Sequence, residues 1–466
     1  MISPRISIIM PVHNQNRYIA DAIQSVIHQT YIEWELIIVD DGSTDSTADI
    51  IAQFDDPRIR YIYQTNQGAS EARNTGIRAS SGQYLAFLDA DDLYHPKKLQ
   101  AQIDHLELDH DIGLSYVAHI DIDQDSNPLN LFRSSPKIFL KSLVLGFPFG
   151  TNDILLRRCY IKKIGYFKES LVINEDRELY IRLALAGCQF AGLPQFLSYR
   201  RLYADRAFSD LPAKMDDMLR ALGTAYNDPR CPSDVLAIKY LAYRNIYLAW
   251  AYQAAVQNET NLARTYFRKA IGFESTIIGD NSQEIINYLA HTSTRTGGDH
   301  ETRLCKVFSS LPSEIASPGK QYEWAVGRGF LLRGVRSIMW GRIGEGNAHF
   351  KKAASLNSQI DNDFSEEITY RLINYEVGFG KGSVEDVLEN LSASLEEAGY
   401  RRSAHRLRGC YAVNKAFQDY HLGQYKEVIQ NTLQAIKYNP TYLFNRGVLS
   451  ILFHSLINSV KNNGKP

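Results

Sequence analysis

Acidic side chains follow two of the predicted strands near the start of the chain. Asp40 and Asp41 come after the second predicted strand, and Asp89, Asp91 and Asp92 come after the fourth. In an open α/β sheet, the residues beyond the carboxyl ends of the strands meet at one edge, where ligands bind. Carboxylates crowded at one edge repel each other unless a cation or strong hydrogen-bond donors lie among them. A divalent cation that shares its coordination with substrate phosphates is the simplest chemistry for such an edge.

The elements that must position these residues are predicted by an alternation of short apolar runs and amphipathic stretches. This alternation is typical of an α/β domain with a largely parallel sheet. The predicted strands cover residues 6–10, 35–39, 60–63, 84–88 and 189–191, the last continuing a little beyond. The predicted helices cover residues 17–29, 46–54, 69–79, 96–108 and 177–186. The loops after the first, second and fourth predicted strands are therefore expected to lie at the same edge of the sheet.

Four segments carry a resemblance to a known family. They are PVHN at residues 11–14, VDDGSTDST at 39–47, NQGASEARNTGI at 66–77 and FLDADD at 87–92. In this order and spacing they resemble the family 2 glycosyltransferases over about residues 5 to 205. The resemblance implies a GT-A fold, in which a Rossmann-like mixed sheet binds a nucleotide-sugar donor.

The resemblance also implies which residues hold the donor. Asp41 would bind the nucleotide base with Asp40 supporting it, and the first loop would line the base and ribose through Pro11, His13 and Asn14. The segment that closes over the donor is matched by Asn66, Gly68, Arg73 and Asn74.

The same resemblance places a metal at the DxD-type motif, which is formed by Asp89, Asp91 and Asp92. Asp89 and Asp91 would contact the donor, and Asp91 and Asp92 are the predicted ligands of the metal, Mg²⁺ or Mn²⁺. The metal would neutralise the charge that builds on the leaving nucleoside diphosphate.

A catalytic base is implied by a second acidic pair. Asn174-Glu175-Asp176 precedes a predicted helix and resembles the family's ED motif. A transferase that inverts the anomeric carbon needs a base that deprotonates the acceptor hydroxyl. Asp176 is the predicted base and Glu175 is the alternative, while residues 150–157 resemble the acceptor-side segment. This chain departs from the family's Tyr-Arg-x-His element, because the corresponding segment, Tyr199-Arg200-Arg201-Leu202-Tyr203, lacks the histidine. Either arginine could contact the diphosphate instead.

The composition sets limits on the class of protein. With 466 residues the chain is too long for one core, so two or three domains are expected. A formal net charge of −1 argues against nucleic-acid binding. The five cysteines contain no CxxC pair, which indicates a reducing compartment. We see no signal peptide and no apolar run long enough to span a membrane, so we expect a cytoplasmic protein, with peripheral membrane association left open.

The second half of the chain is predicted to be helical. Tyr266–Ile271 resembles His349–Ala354, and Ala435-Ile436 closes a similar segment at a nearly equal offset. That offset is close to two helical hairpins of about 34 to 45 residues each. The sequence thus predicts a GT-A domain at residues 1–215 and an all-α, tetratricopeptide-like repeat domain at 232–466.

Two other enzyme classes are excluded by their missing motifs. No G-x-G-x-x-G opens the helix after the first strand, and no G-x-S-x-G elbow is present. The sequence therefore predicts a metal-dependent inverting glycosyltransferase that uses a UDP-sugar, with GDP- and dTDP-sugars as alternatives. Its acceptor would be a glycan, a lipid-linked sugar or a protein. The alternative is a nucleotide-sugar-binding scaffold whose helical repeats recruit a protein partner.

Overall fold

The structure is a computed structural model that describes residues 4–133, 135–203, 209–273, 283–315 and 318–462. Its strands are β1 (Ile6–Val12), β2 (Trp34–Asp41), β3 (Ile59–Gln64), β4 (Tyr84–Phe87), β5 (Leu93–Tyr94), β6 (Ile112–Ile122), β7 (Pro128–Phe132), β8 (Lys137–Ile138), β9 (Ile154–Arg157) and β10 (Gln189–Arg201). The helices among and directly after them are α1 (Ile19–Ile27), α2 (Thr47–Ile51), α3 (Ala69–Ala79), α4 (Lys98–Leu108), α5 (Leu140–Leu145), α6 (Arg158–Ile164) and α7 (Glu175–Leu185).

The strands form one mixed sheet in the order β3-β2-β1-β4-β9-β6-β10-β5, with β7 beside β6 and β8 beside β10. Strands β1 to β4 run parallel, whereas β9 is antiparallel to both of its neighbours. The carboxyl ends of β1, β2 and β4 therefore lie at one edge. The predicted fold class, an α/β domain followed by a helical region, is confirmed.

The core of the sheet explains why the first strands are continuous apolar runs. All residues of β1 and β2 are buried, as expected for parallel strands covered on both faces. One face is closed by α1, whose Ile19, Ile23 and Val26 are buried. On the other side α3 packs against β1 and β2 through Gly76, which leaves room for the side chains of Ile9 and Val39.

One strand is much longer than its predicted length. The prediction placed a strand at residues 189–191 or a little beyond, but β10 continues to Arg201. The predicted strand ended before Pro194, because proline has no backbone N–H to donate to a neighbouring strand. The structure accommodates it where the pairing with β6 shifts register between Leu193 and Phe196.

The remaining helices are α8 (Leu211–Tyr226), α9 (Ser233–Ala237), α10 (Lys239–Val256), α11 (Thr260–Phe273), α12 (Gln283–Thr294), α13 (His300–Ser309), α14 (Pro318–Met339), α15 (Ile343–Ser355), α16 (Asn362–Phe379), α17 (Lys381–Glu397), α18 (Arg401–His421), α19 (Tyr425–Tyr438) and α20 (Arg446–Asn462). The three similar segments lie on α11, α15 and α19, and each of these packs against the helix before it. A tetratricopeptide identity stays a prediction. Within the described residues, no helix has the length and apolar character needed to cross a membrane.

The chain divides into two compact units. One comprises residues 1–285 and 295–317, and the other comprises 286–294 and 318–466. The first unit continues beyond the sheet because helix α10 packs on α5 and α8, and Asn245 Nδ2 donates to the carbonyl of Leu145 at 3.1 Å. The end of the GT-A domain at residue 215 and the start of the helical domain at residue 232 stay predictions.

We predict that Gly76→Ala destabilises the first unit by about 1 to 3 kcal/mol. The added methyl group would overlap Ile9 Cγ2 and lie 3.4 Å from Val39 Cγ2, inside a packed core. Gly223→Ala in α8 is the matched control, since its methyl group would meet only the Asn227 amide at 3.4 Å. Urea denaturation of both variants checks this. Equal stability of the two would show that α3 does not pack closely on the sheet.

Candidate active site

A cavity of about 570 Å³ opens at the carboxyl edge of the sheet. It is lined by the ends of β1 and β2, the first turns of α3, the loop after β4 and the residues before and at the start of α7. The predicted site residues that line it are Pro11, His13, Asp41, Arg73, Asp89, Asp91, Glu175 and Asp176. The predicted residues outside the lining are Asn14, Asp40, Asn66, Gly68, Asn74 and Asp92.

Asp41 organises the loop between β3 and α3. Its Oδ1 accepts hydrogen bonds from Gln64 Nε2 at 2.8 Å and from the backbone N of Gln67 at 2.9 Å, and its Oδ2 accepts from Gly68 N at 2.8 Å. Gly68 has φ of 90°, a conformation that favours glycine. Asp41 therefore fixes the entry into α3 as well as facing the cavity.

Asp40 and Asn14 support the cavity from outside it. Asp40 accepts hydrogen bonds from Ser43 N and from the Tyr61 hydroxyl, each at 2.8 Å. Asn14 N donates to the Ser43 hydroxyl at 3.0 Å, and its side-chain oxygen accepts from Thr44 N at 2.8 Å. These contacts tie the loop after β1 to the loop after β2.

His13 connects the same two loops at the cavity wall. Its Nδ1 lies 2.9 Å from the carbonyl oxygen of Asp41, and Asn66 Nδ2 lies 3.3 Å from His13 Nδ1. Asn66 thus contacts His13, a residue of the cavity lining, but does not itself line the cavity. Asn74 is buried in α3, where its amide donates to the Phe167 carbonyl and accepts from Phe167 N, each at 3.0 Å. Asn74 therefore holds a loop beside the site.

Arg73 joins the two acidic groups of the cavity. Its Nη2 lies 2.8 Å from Asp89 Oδ1, and its Nη1 lies 2.6 Å from Glu175 Oε1. The side chain is buried, with its Cζ 5.6 Å from the centre of the Phe167 ring. Burial acts to lower the pKa of Arg73, but the charges of Asp89 and Glu175 outweigh it and raise that pKa above its ordinary value. The guanidinium therefore stays charged.

The three aspartates after β4 have different surroundings. Asp92 is buried, and its oxygens accept hydrogen bonds from Arg201 N at 2.6 Å and from Asn152 Nδ2. Burial, with the charges of Asp91 and Asp89, raises the pKa of Asp92 well above its ordinary value. Asp92 therefore anchors the loop.

Asp89 and Asp91 face the cavity from this loop. Asp89 N donates to Asn152 Oδ1 at 2.7 Å, and Asp91 Oδ2 accepts from the Tyr203 hydroxyl at 2.9 Å. In the described ranges, no group of three or more His, Cys, Asp or Glu side chains is arranged to hold a metal. Two carboxylates with hard oxygen atoms nevertheless suit a cation that takes its other ligands from substrate phosphates. Asp92 as a metal ligand stays a prediction. Because the oxygens of Asp92 already accept hydrogen bonds, Asp89 is favoured as the second ligand beside Asp91.

Glu175 and Asp176 begin helix α7 but differ in their partners. Glu175 is occupied by Arg73. Asp176 is half-buried and lines the cavity. Burial and the neighbouring charge of Glu175 raise the pKa of Asp176 to about 8, although Arg73 opposes the shift. Asp176 is therefore a carboxylate with an unusually high affinity for a proton.

Neither Arg200 nor Arg201, the two arginines of the Tyr-Arg element, lines the cavity. Arg200 forms an ion pair of 2.6 Å with buried Asp121. Arg201 donates to the carbonyls of Asp91 at 2.9 Å and Asp123 at 2.8 Å. Both guanidinium groups thus support the loops around the site.

The sequence did not single out Asn152 or Tyr203 as individual site residues. Asn152 lay inside the predicted acceptor-side segment, and Tyr203 lay inside the Tyr-Arg element, but nothing in either motif marked the contact with the aspartates.

A buried ionic network lies beside residues 150–157, the predicted acceptor-side segment. His119 Nδ1 is 2.9 Å from Asp153 Oδ2, and His119 Nε2 is 3.5 Å from Asp121 Oδ1. Asp153 also accepts from Gly150 N at 2.8 Å and from the Ser198 hydroxyl. Burial acts to lower the pKa of His119, but Asp153 and Asp121 raise it above its ordinary value. Because Asp153 directly follows Asn152, the network helps to place the amide that holds the aspartate loop.

Comparison with known proteins gives a consistent result. The profile described as Glycosyl transferase family 2 matches residues 7–162. A putative teichuronic acid biosynthesis glycosyltransferase, TuaG, of Bacillus subtilis is 37% identical over 151 residues, which are 31% of this chain and 60% of the relative. An uncharacterised glycosyltransferase of Haemophilus influenzae is 36% identical over 169 residues, 36% of this chain and 67% of the relative. The chain spans about three fifths of the length of several curated relatives it matches.

A solved structure is also similar. It is a mannosyltransferase, PcManGT, from Pyrobaculum calidifontis in complex with GDP-Man and Mn2+, with a TM-score of 0.43 and 16% sequence identity. The match covers 66% of this chain and 86% of that one.

We predict that His119→Phe lowers the free energy of unfolding by about 3 to 5 kcal/mol, because it leaves buried carboxylates without their counter-charge. Phenylalanine keeps the ring that stacks on Phe132 at 4.8 Å. Since the folded-state pKa of His119 is raised, its contribution is complete below its unfolded pKa of about 6.5 and is lost as the pH rises through the folded-state value.

The control is His105→Phe, because half-buried His105 contacts a neutral hydroxyl, Ser115 Oγ, at 3.0 Å. Its cost should be about 0.5 to 1.5 kcal/mol. Urea denaturation at pH 6 and pH 9 measures both variants. A His119 variant no less stable than the His105 variant at pH 6 would contradict the ionic network.

Proposed function

The chain belongs to glycosyl transferase family 2, and from that premise we propose that it transfers a sugar from a nucleotide-sugar to an acceptor hydroxyl, with metal dependence and inversion at the anomeric carbon. The observation that carries the proposal is the convergence of Asp89, Asp91 and Asp176 on one cavity, with Arg73 between the two acidic segments. The cavity volume of about 570 Å³ lies within the range of small-molecule sites.

The donor would occupy the side of the cavity formed by the strand ends. Pro11, His13 and Asp41 line that side and would contact the base and ribose. Asp91, with Asp89 beside it, would hold Mg²⁺ or Mn²⁺, which offsets negative charge on the leaving nucleoside diphosphate. Arg73 keeps Asp89 in place for this role.

The acceptor would lie near the start of α7. Asp176 takes the proton from the acceptor hydroxyl as that oxygen attacks the anomeric carbon. Glu175 is the weaker candidate for the base, because its carboxylate is already paired with Arg73 at 2.6 Å. Arg73 thereby holds the Glu175 carboxylate in an ion pair, and Asp176 is the cavity carboxylate that would contact the acceptor.

The identity of both substrates is proposed at the level of chemical class. The donor is a UDP-sugar, with GDP- and dTDP-sugars as alternatives. The name of the Bacillus subtilis relative refers to teichuronic acid biosynthesis, which favours a growing polysaccharide over a lipid-linked sugar or a protein as the acceptor. A cytoplasmic location and a protein partner for the helical region stay predictions from the sequence.

We predict that a nucleotide-sugar raises the thermal stability of the protein in the presence of Mn²⁺, and that Asp91→Asn removes the metal-dependent part. Binding to the folded state stabilises it by about 2.7 kcal/mol when the ligand is at one hundred times its Kd. A thermal shift panel of UDP-, GDP- and dTDP-sugars with Mn²⁺ or a chelator measures the effect.

Asp92→Asn is the matched control for that panel, because Asp92 is expected to anchor the loop. This variant should lose stability without ligand but keep a metal-dependent response. If Asp92→Asn loses the response while Asp91→Asn keeps it, Asp92 is the metal ligand. No response of the wild type to any donor would favour the scaffold alternative.

We predict that Asp176→Asn lowers kcat by about 10² to 10⁴ while donor binding is unchanged, as expected for loss of a general base. In the wild type, the deprotonated carboxylate is the active form, so kcat/KM should rise as the pH approaches the Asp176 pKa of about 8. Asp176→Glu should recover part of the rate. Initial rates of donor turnover from pH 6 to 9 measure this, and a flat profile together with an active Asp176→Asn enzyme would remove Asp176 from the mechanism.

A further inference from the structure

Three apolar side chains line the cavity next to the segments that would face the acceptor. Phe147 precedes residues 150–157 by three positions, and Val172 and Ile173 come directly before the start of α7. Phe147 is 36% exposed and Val172 is 74% exposed. Phe149, by contrast, is 1% exposed, and its ring lies 4.6 Å from that of Tyr116. One short segment therefore buries one phenylalanine in the core and leaves the other partly exposed at the cavity.

The backbone that carries these apolar side chains is held by buried polar groups. Asp217 of α8 is buried, and its Oδ2 accepts hydrogen bonds from Val172 N at 2.8 Å and from Ile173 N at 3.3 Å. Buried Arg177 of α7 donates to two carbonyls in the last turn of α5, ahead of Phe147, at 2.7 and 2.8 Å. Exposed side chains on an anchored backbone lose little conformational freedom when they bind a ligand.

Asn174 adds a polar group beside these apolar side chains. It lines the cavity directly before Glu175 and Asp176, and its φ of 59° lies in the left-handed region. This conformation is uncommon for a residue other than glycine. The Asn174 side chain makes no capping hydrogen bond with α7. Among the residues that the structure describes, its amide has no other hydrogen-bond partner, so it is available to a ligand.

Another helix of the same unit shows that a left-handed residue can begin a helix and cap it. Asp210 precedes α8 with φ of 49°, and its side chain accepts a hydrogen bond from Ala213 N at 3.1 Å. The capping bond explains the polar side chain of Asp210. Asn174 has the same place relative to α7 but lines the cavity without capping. Backbone strain of this kind clusters at functional sites, so the uncapped amide points to a ligand in the cavity.

The apolar side chains and the amide together match the surface of a six-membered sugar ring. A pyranose has a face of C–H groups and a rim of hydroxyl groups. The negative face of a phenylalanine ring attracts polarised C–H groups. An asparagine amide has two donor hydrogens and an acceptor oxygen, so it can bind neighbouring hydroxyl groups. An acyclic polyol or a serine side chain has no comparable apolar face.

We propose that Phe147, Val172 and Asn174 form the acceptor subsite. Phe147 and Val172 pack against the apolar face of a pyranose, and Asn174 binds its hydroxyl groups. This assignment rests on the proposed function, in which Asp176 deprotonates the acceptor, and it makes the acceptor a cyclic sugar. Asn174 and Asp176 line the same cavity two residues apart, which would place the bound hydroxyl groups near the proposed base.

The test is saturation-transfer NMR of the full chain with Mg²⁺ and each of UDP, GDP and dTDP. The probes are the methyl pyranosides of glucose, galactose, mannose and N-acetylglucosamine, with sorbitol and N-acetylserine amide for comparison. We expect at least one pyranoside to bind saturably and the two comparison compounds not to bind. Phe147→Ala should weaken pyranoside binding at least about tenfold. Asn174→Gly should weaken it about three- to tenfold, since glycine keeps the left-handed backbone but loses the hydrogen bonds.

Three variants serve as controls and should bind the pyranoside as the wild type does. Phe147→Tyr keeps the aromatic ring. Phe139→Ala removes a phenylalanine that is 68% exposed but does not line the cavity. Asn258→Gly replaces another left-handed asparagine, with φ of 68°, which also lies outside the lining.

Donor turnover measured in parallel separates this subsite from the proposed function. Pyranoside binding with the expected losses, but without turnover of any donor, would refute sugar transfer and support the subsite. Turnover of a donor without pyranoside binding would overturn the subsite and leave sugar transfer standing. Pyranoside binding that is unchanged in either Phe147→Ala or Asn174→Gly would also overturn it. Tighter binding of sorbitol or N-acetylserine amide than of every pyranoside would show that the acceptor is not a cyclic sugar.

Discussion

Arg73 is buried between two carboxylates that reach it from distant parts of the sheet domain. Asp89 follows β4, and Glu175 begins α7, yet both lie within 2.8 Å of one guanidinium. A buried ion pair adds little net stability when intact, but loss of one partner leaves an uncompensated charge that costs about 3 to 5 kcal/mol. The main effect of the arrangement is therefore to fix the relative positions of the two segments that carry Asp89 and Glu175. The loop that would hold the donor and the helix that would carry the base cannot move apart without leaving a buried charge unpaired.

The aspartate loop depends on a second layer of polar contacts below Arg73. Asn152 holds the loop from one side through Asp89 N and Asp92. The next residue, Asp153, is fixed by His119 and by Gly150 N. The acceptor-side segment and the aspartate loop are thus placed by the same few buried groups. Strand β10, which lies between β6 and β5, supplies Ser198 and Arg201 to that layer.

The gathering of the acidic residues was predictable from the sequence, but their individual orientations were not. Parallel strands bring Asp41, Asp89 and Asp91 to one edge whatever the details of packing. Asp91 and Asp92 are neighbours in sequence, so the choice of which one faces the cavity depends on partners elsewhere. Asn152 and the backbone of Arg201 make that choice, and they lie 60 and 109 residues from Asp92. Glu175 and Asp176 entered the prediction through family resemblance, because no local pattern indicates that α7 reaches the same edge.

Charge balance in the cavity would link the proposed metal dependence to the strength of the proposed base, Asp176. Arg73 is shared by Asp89 and Glu175, and burial with neighbouring negative charge raises the pKa values of Asp92 and Asp176. A nucleotide-sugar bound in this cavity would bring the negative charge of its diphosphate into the same space. Without an added cation, that charge would raise the pKa of Asp176 further and keep the base protonated. A cation held at Asp91 would cancel this effect, so its presence would let one cavity bind an anionic donor and still contain an ionised carboxylate.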